Sequence, residues 1–133
     1  MNKELALPAL VTGLALLVYF VFTINIGRAR GKHKIDAPQM TGPPEFERVV
    51  RVQANTLEQL ITFIPCLWLF SLLISATIGA GLGGVWIVGR IVYAWGYYQA
   101  AAKRGAGFMI SALATMALLF GSIVGAVMRL MSA

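Results

Sequence analysis

Ionisable and hydroxylated side chains recur at helical spacing in two stretches of an otherwise apolar chain. In the first, Arg48, Arg51, Asn55, Glu58 and Thr62 fall within an arc of about 80° when each residue turns the chain by about 100°. In the second, Trp86, Arg90, Tyr93, Tyr97 and Arg104 fall within about 60° by the same arithmetic. Gln53 points away from the first arc, so it can share a ligand only across a subunit boundary or along a groove. Arg51 and Arg104 supply fixed positive charge and forked donors suited to carboxylates. Glu58 suits an ammonium group or one of the arginines, and Tyr93 and Tyr97 carry hydroxyls on apolar rings. Together these groups match a small anionic peptide. They equally match an internal polar network that only fixes helix packing.

The elements that carry these stripes are membrane helices. Of 133 residues, 59% are hydrophobic and 12% charged, about half the charged share of a soluble domain. So few charges cannot cover a water-facing surface, and the lipid bilayer is the expected solvent. The net charge of +6 belongs to basic residues beside apolar segments, which points to membrane topology and not to nucleic acid. The apolar stretch 5–26 is too long for a signal-peptide core and reads as a retained spanning helix. The chain is thus expected to be an all-α membrane protein, one four-transmembrane-helix domain over 1–133. Its helices are placed at about 5–30, 45–76, 85–104 and 106–129.

Pro43 and Pro44 precede the second helix, where a first turn tolerates proline, and Glu45 and Glu47 suit its N-terminus. The uncharged run 79–84 holds four glycines and is read as a tight outer turn. Gly105 is read as the left-handed cap that ends the third helix. The loop with Arg28, Arg30, Lys32, His33 and Lys34 shares a side with Lys103 and Arg104, because two helices separate them. That basic side is expected to face the cytoplasm.

The run from Thr41 to Glu58, TGPPEFERVVRVQANTLE, resembles the signature of the membrane-associated proteins in eicosanoid and glutathione metabolism, the MAPEG family. It is most similar to the branch holding cysteinyl-leukotriene synthase and the second microsomal glutathione transferase. The pattern Arg90, Tyr93, Gly96, Tyr97 and Arg104 is similar too, and the resemblance covers the whole chain. It implies a homotrimer with a glutathione site between neighbouring subunits. It implies that Arg51, Asn55 and Glu58 grip the glutathione backbone and that Gln53 touches it from the same helix. Arg30 would meet a carboxylate, Tyr93 and Tyr97 would line the site, and Arg104 would stabilise the thiolate. Glutathione would be co-substrate to a hydrophobic electrophile or lipid hydroperoxide dissolved in the bacterial inner membrane or endoplasmic reticulum. Two positions depart from the pattern. Gly31 stands where the synthase has a second arginine, which counts against epoxide-opening leukotriene synthesis. Gln59 stands where the family has a tyrosine.

Three functions compete. A glutathione transferase or peroxidase uses all the stripe residues. A non-enzymatic lipid-binding protein of the five-lipoxygenase-activating type does not need them. A proton-coupled exporter needs a carboxylate deep in a spanning helix, and the stretch 5–26 has none. A metal site is not expected, since His33 and Cys66 are the sole histidine and cysteine. Cys66, in an apolar run, is expected to act as a small hydrophobe. Phe108 and Met116 are expected in the apolar wall of the substrate groove.

Overall fold

The computed structural model of the protein describes residues 2–132. It is all-helical: α1 spans Ala6–His33, α2 Pro44–Leu73, α3 Ala76–Gln99 and α4 Gly105–Met131. A 3-10 turn, Lys3–Leu5, leads into α1, and another, Ala101–Arg104, joins α3 to α4. All four helices are long and apolar enough to cross a membrane. Both α1 and α4 pack against the α2–α3 pair, and the α3–α4 seam is the most extensive.

Local chemistry sets the ends. Pro44 opens α2 at a position where its missing N–H has no helical partner to lose. Glu47 reaches back to accept the Gly42 N–H at 3.0 Å, so the loop and the first turn hold each other. Pro65 lies inside α2, as membrane helices tolerate when neighbouring groups satisfy the freed carbonyl.

The glycine run 79–84 is not a turn. It lies inside α3, and the α2–α3 connection is the pair Ile74 and Ser75. Ser75 takes extended backbone angles, and its hydroxyl accepts the Ile78 N–H at 3.1 Å, satisfying an otherwise unpaired donor. The glycines serve packing instead. A Cβ on Gly83 would stand 2.5 Å from Val11 Cγ1, and one on Gly79 2.5 Å from Ser71 Oγ. Small residues let membrane helices approach closely where no hydrophobic effect drives them together. Ser75→Ala is expected to destabilise the fold by about 1 kcal/mol, read as a lower unfolding midpoint in detergent with the helix content unchanged.

The third helix therefore ends at Gln99, short of Arg104. Gly105 is right-handed at φ −62° and starts α4. Ala100, at φ −164° and ψ 142°, breaks the helix.

Phe63 of α2 and Trp86 of α3 stack at 4.1 Å between centroids and 4° between planes, at the centre of a core with Ala15, Leu67, Cys66 and Leu118. Cys66 is buried and unpaired. Buried hydroxyls bond backbone carbonyls: Ser122 Oγ lies 2.6 Å from the Leu118 oxygen and 3.2 Å from that of Cys66. Trp68 donates to the Thr12 hydroxyl at 2.9 Å, tying α2 to α1. Most exposed side chains along the helices are large and apolar, such as Leu17, Phe20, Ile61 and Trp95, as a lipid-facing surface requires.

Candidate functional site

The α2 stripe opens onto the outer face of the single chain. Arg51 Nη2 lies 3.9 Å from Glu58 Oε1, with their side chains 54% and 61% exposed. At that distance and exposure the pair adds little to stability, and both heads stay free to meet a ligand. Arg48, one turn before Arg51, is half-buried, and its Nε, shielded from solvent, has no hydrogen-bond partner among the described residues. A recess of about 230 Å³ is lined by Pro44, Glu47, Arg48, Arg51, Tyr97 and Ala101. It joins the start of α2 to the end of α3.

The α3 stripe turns inward and forms a ladder of cations and phenols. The Arg90 guanidinium lies 4.0 Å over the Tyr93 ring. Tyr93, only 2% exposed, meets Tyr97 edge-on at 5.5 Å and 82°. Arg104 lies 5.7 Å from the Tyr97 ring centroid. Tyr93 and Tyr97 meet because residues four apart share a helix face.

Arg104 reaches Tyr97 by a different route from the continuous helix expected. Ala100 breaks α3, and the 3-10 turn folds Arg104 back. Gly96 makes this possible, since a Cβ there would overlap the Lys103 carbonyl. Arg104 Nη1 donates to the Ala101 carbonyl at 2.6 Å. That bond uses one of the five guanidinium donors, and the residue is exposed.

The remaining sequence-derived site residues have partners within the chain. The Asn55 carbonyl oxygen accepts from Arg90 Nη2 at 2.9 Å. Gln53 Nε2 donates to the Tyr19 hydroxyl at 3.0 Å, so Gln53 faces α1 and not the recess. Arg30 donates to the Asp36 and Gln39 carbonyls at 3.2 and 2.7 Å and lies 5.5 Å from the Phe46 centroid. It braces the α1–α2 loop. Lys32 pairs with Glu45 at 2.6 Å across the same loop. Among the apolar candidates, Phe108 lies 6.4 Å from Tyr93, while Met116 is exposed on α4.

Two members of the cluster carry more than the sequence suggested. Arg48 lines the recess, although its spacing served only to define the α2 stripe. Arg90 ties α2, α3 and α4 together, and the signal for it was an arginine deep in an apolar helix. Tyr19, the partner of Gln53, has no such signal.

Four membrane-length helices, with ionic and phenolic groups gathered where α2 begins and α3 ends, define an integral, multi-pass membrane protein with a polar site at one end of its bundle. The sequence matches the MAPEG family over residues 8–124, and the chain belongs to that family. It is 42% identical to microsomal glutathione S-transferase 2 of Mus musculus over 111 residues, covering 84% of this chain and 76% of the relative. It is 38% identical to leukotriene C4 synthase of Cavia porcellus over 125 residues, 94% and 83% of the two chains. An uncharacterized protein of Synechocystis is 53% identical over 129 residues, 97% and 94%.

Proposed function

We propose that the protein is a glutathione transferase with peroxidase capacity, acting on hydrophobic electrophiles or lipid hydroperoxides dissolved in the membrane. The observation that carries this reading is the open cationic cluster: Arg104 over Tyr97, beside the recess lined by Arg48 and Arg51. Glutathione offers carboxylates to the arginines, an ammonium to Glu58 and a thiol to Arg104. The relatives named as glutathione transferase and leukotriene synthase support the same reading.

The chemistry follows from charge. A free thiol has a pKa of about 8.5, so only about 3% is ionised at pH 7. A guanidinium beside the sulfur favours the thiolate, and a downward shift of about two units corresponds to roughly 2.7 kcal/mol, within reach of one charge-assisted contact. In conjugation the thiolate forms a carbon–sulfur bond and the leaving group, a halide for an aryl halide, departs with the bonding pair. In peroxide reduction the thiolate attacks the hydroperoxide oxygen. The O–O bond breaks, and the alkoxide leaves as the alcohol by taking the proton given up when the thiol ionised. The thiol of a second glutathione then attacks the sulfenic sulfur, giving disulfide and expelling its hydroxyl as water.

The same reading places the site between copies of a homotrimer. Arg51 and Glu58 are exposed on the single chain, and ionised groups in a membrane helix are too costly to leave against lipid. A neighbouring subunit covers them. The basic side, with Arg30, Lys32, Lys103 and Arg104, faces the cytoplasm.

Glutathione conjugation of an aryl halide by detergent-purified protein tests the activity. Glu58→Gln separates site from scaffold. KM for glutathione is expected to rise about tenfold, the value of one charge-assisted contact, while the unfolding midpoint without ligand stays nearly unchanged, because Arg51 and Glu58 stand 3.9 Å apart, too far for a hydrogen bond, and glutamine keeps the shape of glutamate. Failure of the wild type to bind glutathione at millimolar concentration would move the assignment to the lipid-binding alternative.

A further inference from the structure

Arg90 is fully buried, at 0% exposure, yet no carboxylate among the described residues lies within 4.0 Å of it. Its partners are neutral. Nη1 donates to Ser111 Oγ at 3.3 Å, and Nη2 donates to Thr56 Oγ1 and Asn55 Oδ1, each at 2.9 Å. The plane stacks on Tyr93 at 4.0 Å. Both Nη2 hydrogens are therefore engaged, and the group is held from α2, α3 and α4 at once. Taking a cation out of water without a counter-charge is costly. A guanidinium placed only to fix packing would be better replaced by an apolar side chain of like size.

The geometry points to Arg90 as a positioning residue for the proposed glutathione site, acting through Asn55. A guanidinium has donors only, so the oxygen of the Asn55 amide must face it. The amide nitrogen then points the other way, and its two N–H donors are held ready for an acceptor on the ligand. Free asparagine would present oxygen or nitrogen alike, and locking one orientation removes that entropy before binding. The substrate group that meets Asn55 is therefore an acceptor, a peptide carbonyl or carboxylate, and not an amide N–H.

This inference rests on the glutathione reading, and a double-mutant cycle with glutathione as the probe tests it. Arg90→Lys keeps the charge and loses the fork. The dissociation constant is expected to rise about tenfold, with kcat within about twofold because Arg104 is untouched. Asn55→Ala is expected to cost about tenfold alone. If Arg90 acts through Asn55, the double variant is no weaker than Asn55→Ala within about twofold, since two changes in one chain of contacts do not add. A product of about 100-fold, with the wild type binding normally, overturns the inference and leaves the glutathione reading standing. Wild type that binds no glutathione overturns both. Asn55→Asp decides the matter where Arg90→Lys does not fold. The carboxylate keeps Arg90 partnered but offers no donor, so affinity is expected to fall at least tenfold with the melting temperature retained. Unchanged affinity would overturn the assignment.

Discussion

Arg104→Ala is expected to slow glutathione conjugation at pH 7 about 25-fold, with KM for glutathione little changed. If the bound thiol titrates about two units below the free one, near 6.5, about three quarters is thiolate at pH 7, against about 3% once the guanidinium is gone. The ratio is about 25, equivalent to roughly 1.9 kcal/mol of barrier. The sign of the pH dependence follows. Wild-type rate levels off above the lowered pKa, whereas the variant keeps gaining as pH rises through 8.5. The deficit therefore shrinks to within about twofold near pH 9. A deficit that stays constant across this range would assign Arg104 to orientation and not to ionisation. The 3-10 turn and the exposure of Arg104 mean that the change removes little packing, so the unfolding midpoint should hold.

Gly107→Ala is expected to have the largest effect on the fold, about 3 kcal/mol of destabilisation, at the upper end for overpacking. A Cβ at Gly107 would overlap the backbone N and Cα of Tyr93, and it would stand 2.7 Å from the Gly89 carbonyl. The obstacles are backbone atoms of a helix, which cannot rotate away. Moving α4 outward would also draw Ser111 from Arg90, which it meets at 3.3 Å, and would shift Tyr93. Turnover should fall together with the unfolding midpoint. Gly105→Ala is the control: a Cβ there meets nothing within 4 Å, and helix propensity favours alanine by about 1 kcal/mol. Equal behaviour of the two variants would mean that the α3–α4 crossing is looser than described.

Hydropathy and charge made the membrane helices and the start of α2 legible, because a run of apolar residues after Pro43 and Pro44 has few other solutions. The start of α3 was not legible from glycine content. Glycine breaks helices in water, but in a membrane helix it is often a contact surface, and Gly79 and Gly83 both press against neighbours. The sharper signal was Ser75, a capping residue three positions before Ile78. The break at Ala100 had no residue-level signal, because alanine favours helix. It depends on Lys103 packing against Gly96. Angular arithmetic brought Arg104 beside Tyr97 for the wrong reason, since Arg104 lies beyond the helix to which the arithmetic applies.

The two stripes also differ in a way that periodicity cannot show. Tyr93 and Arg90 face the interior, while Arg51 and Glu58 face outward. A helical arc gives a direction about the axis but not what lies in that direction. Nor could spacing reveal that the Asn55 carbonyl oxygen faces Arg90, or that Arg30 bridges loop carbonyls, since both depend on which helix ends converge.

Ionisation of a bound thiol by this cluster releases a proton on binding, and that release can be measured directly. Calorimetric titration of glutathione into the protein at pH 7, in buffers of different ionisation enthalpy, should show about 0.7 protons released per glutathione bound, the difference between about three quarters and about 3% ionised. The Arg104→Ala variant should bind and release almost none. Saturable binding to the wild type with no proton released would contradict the account.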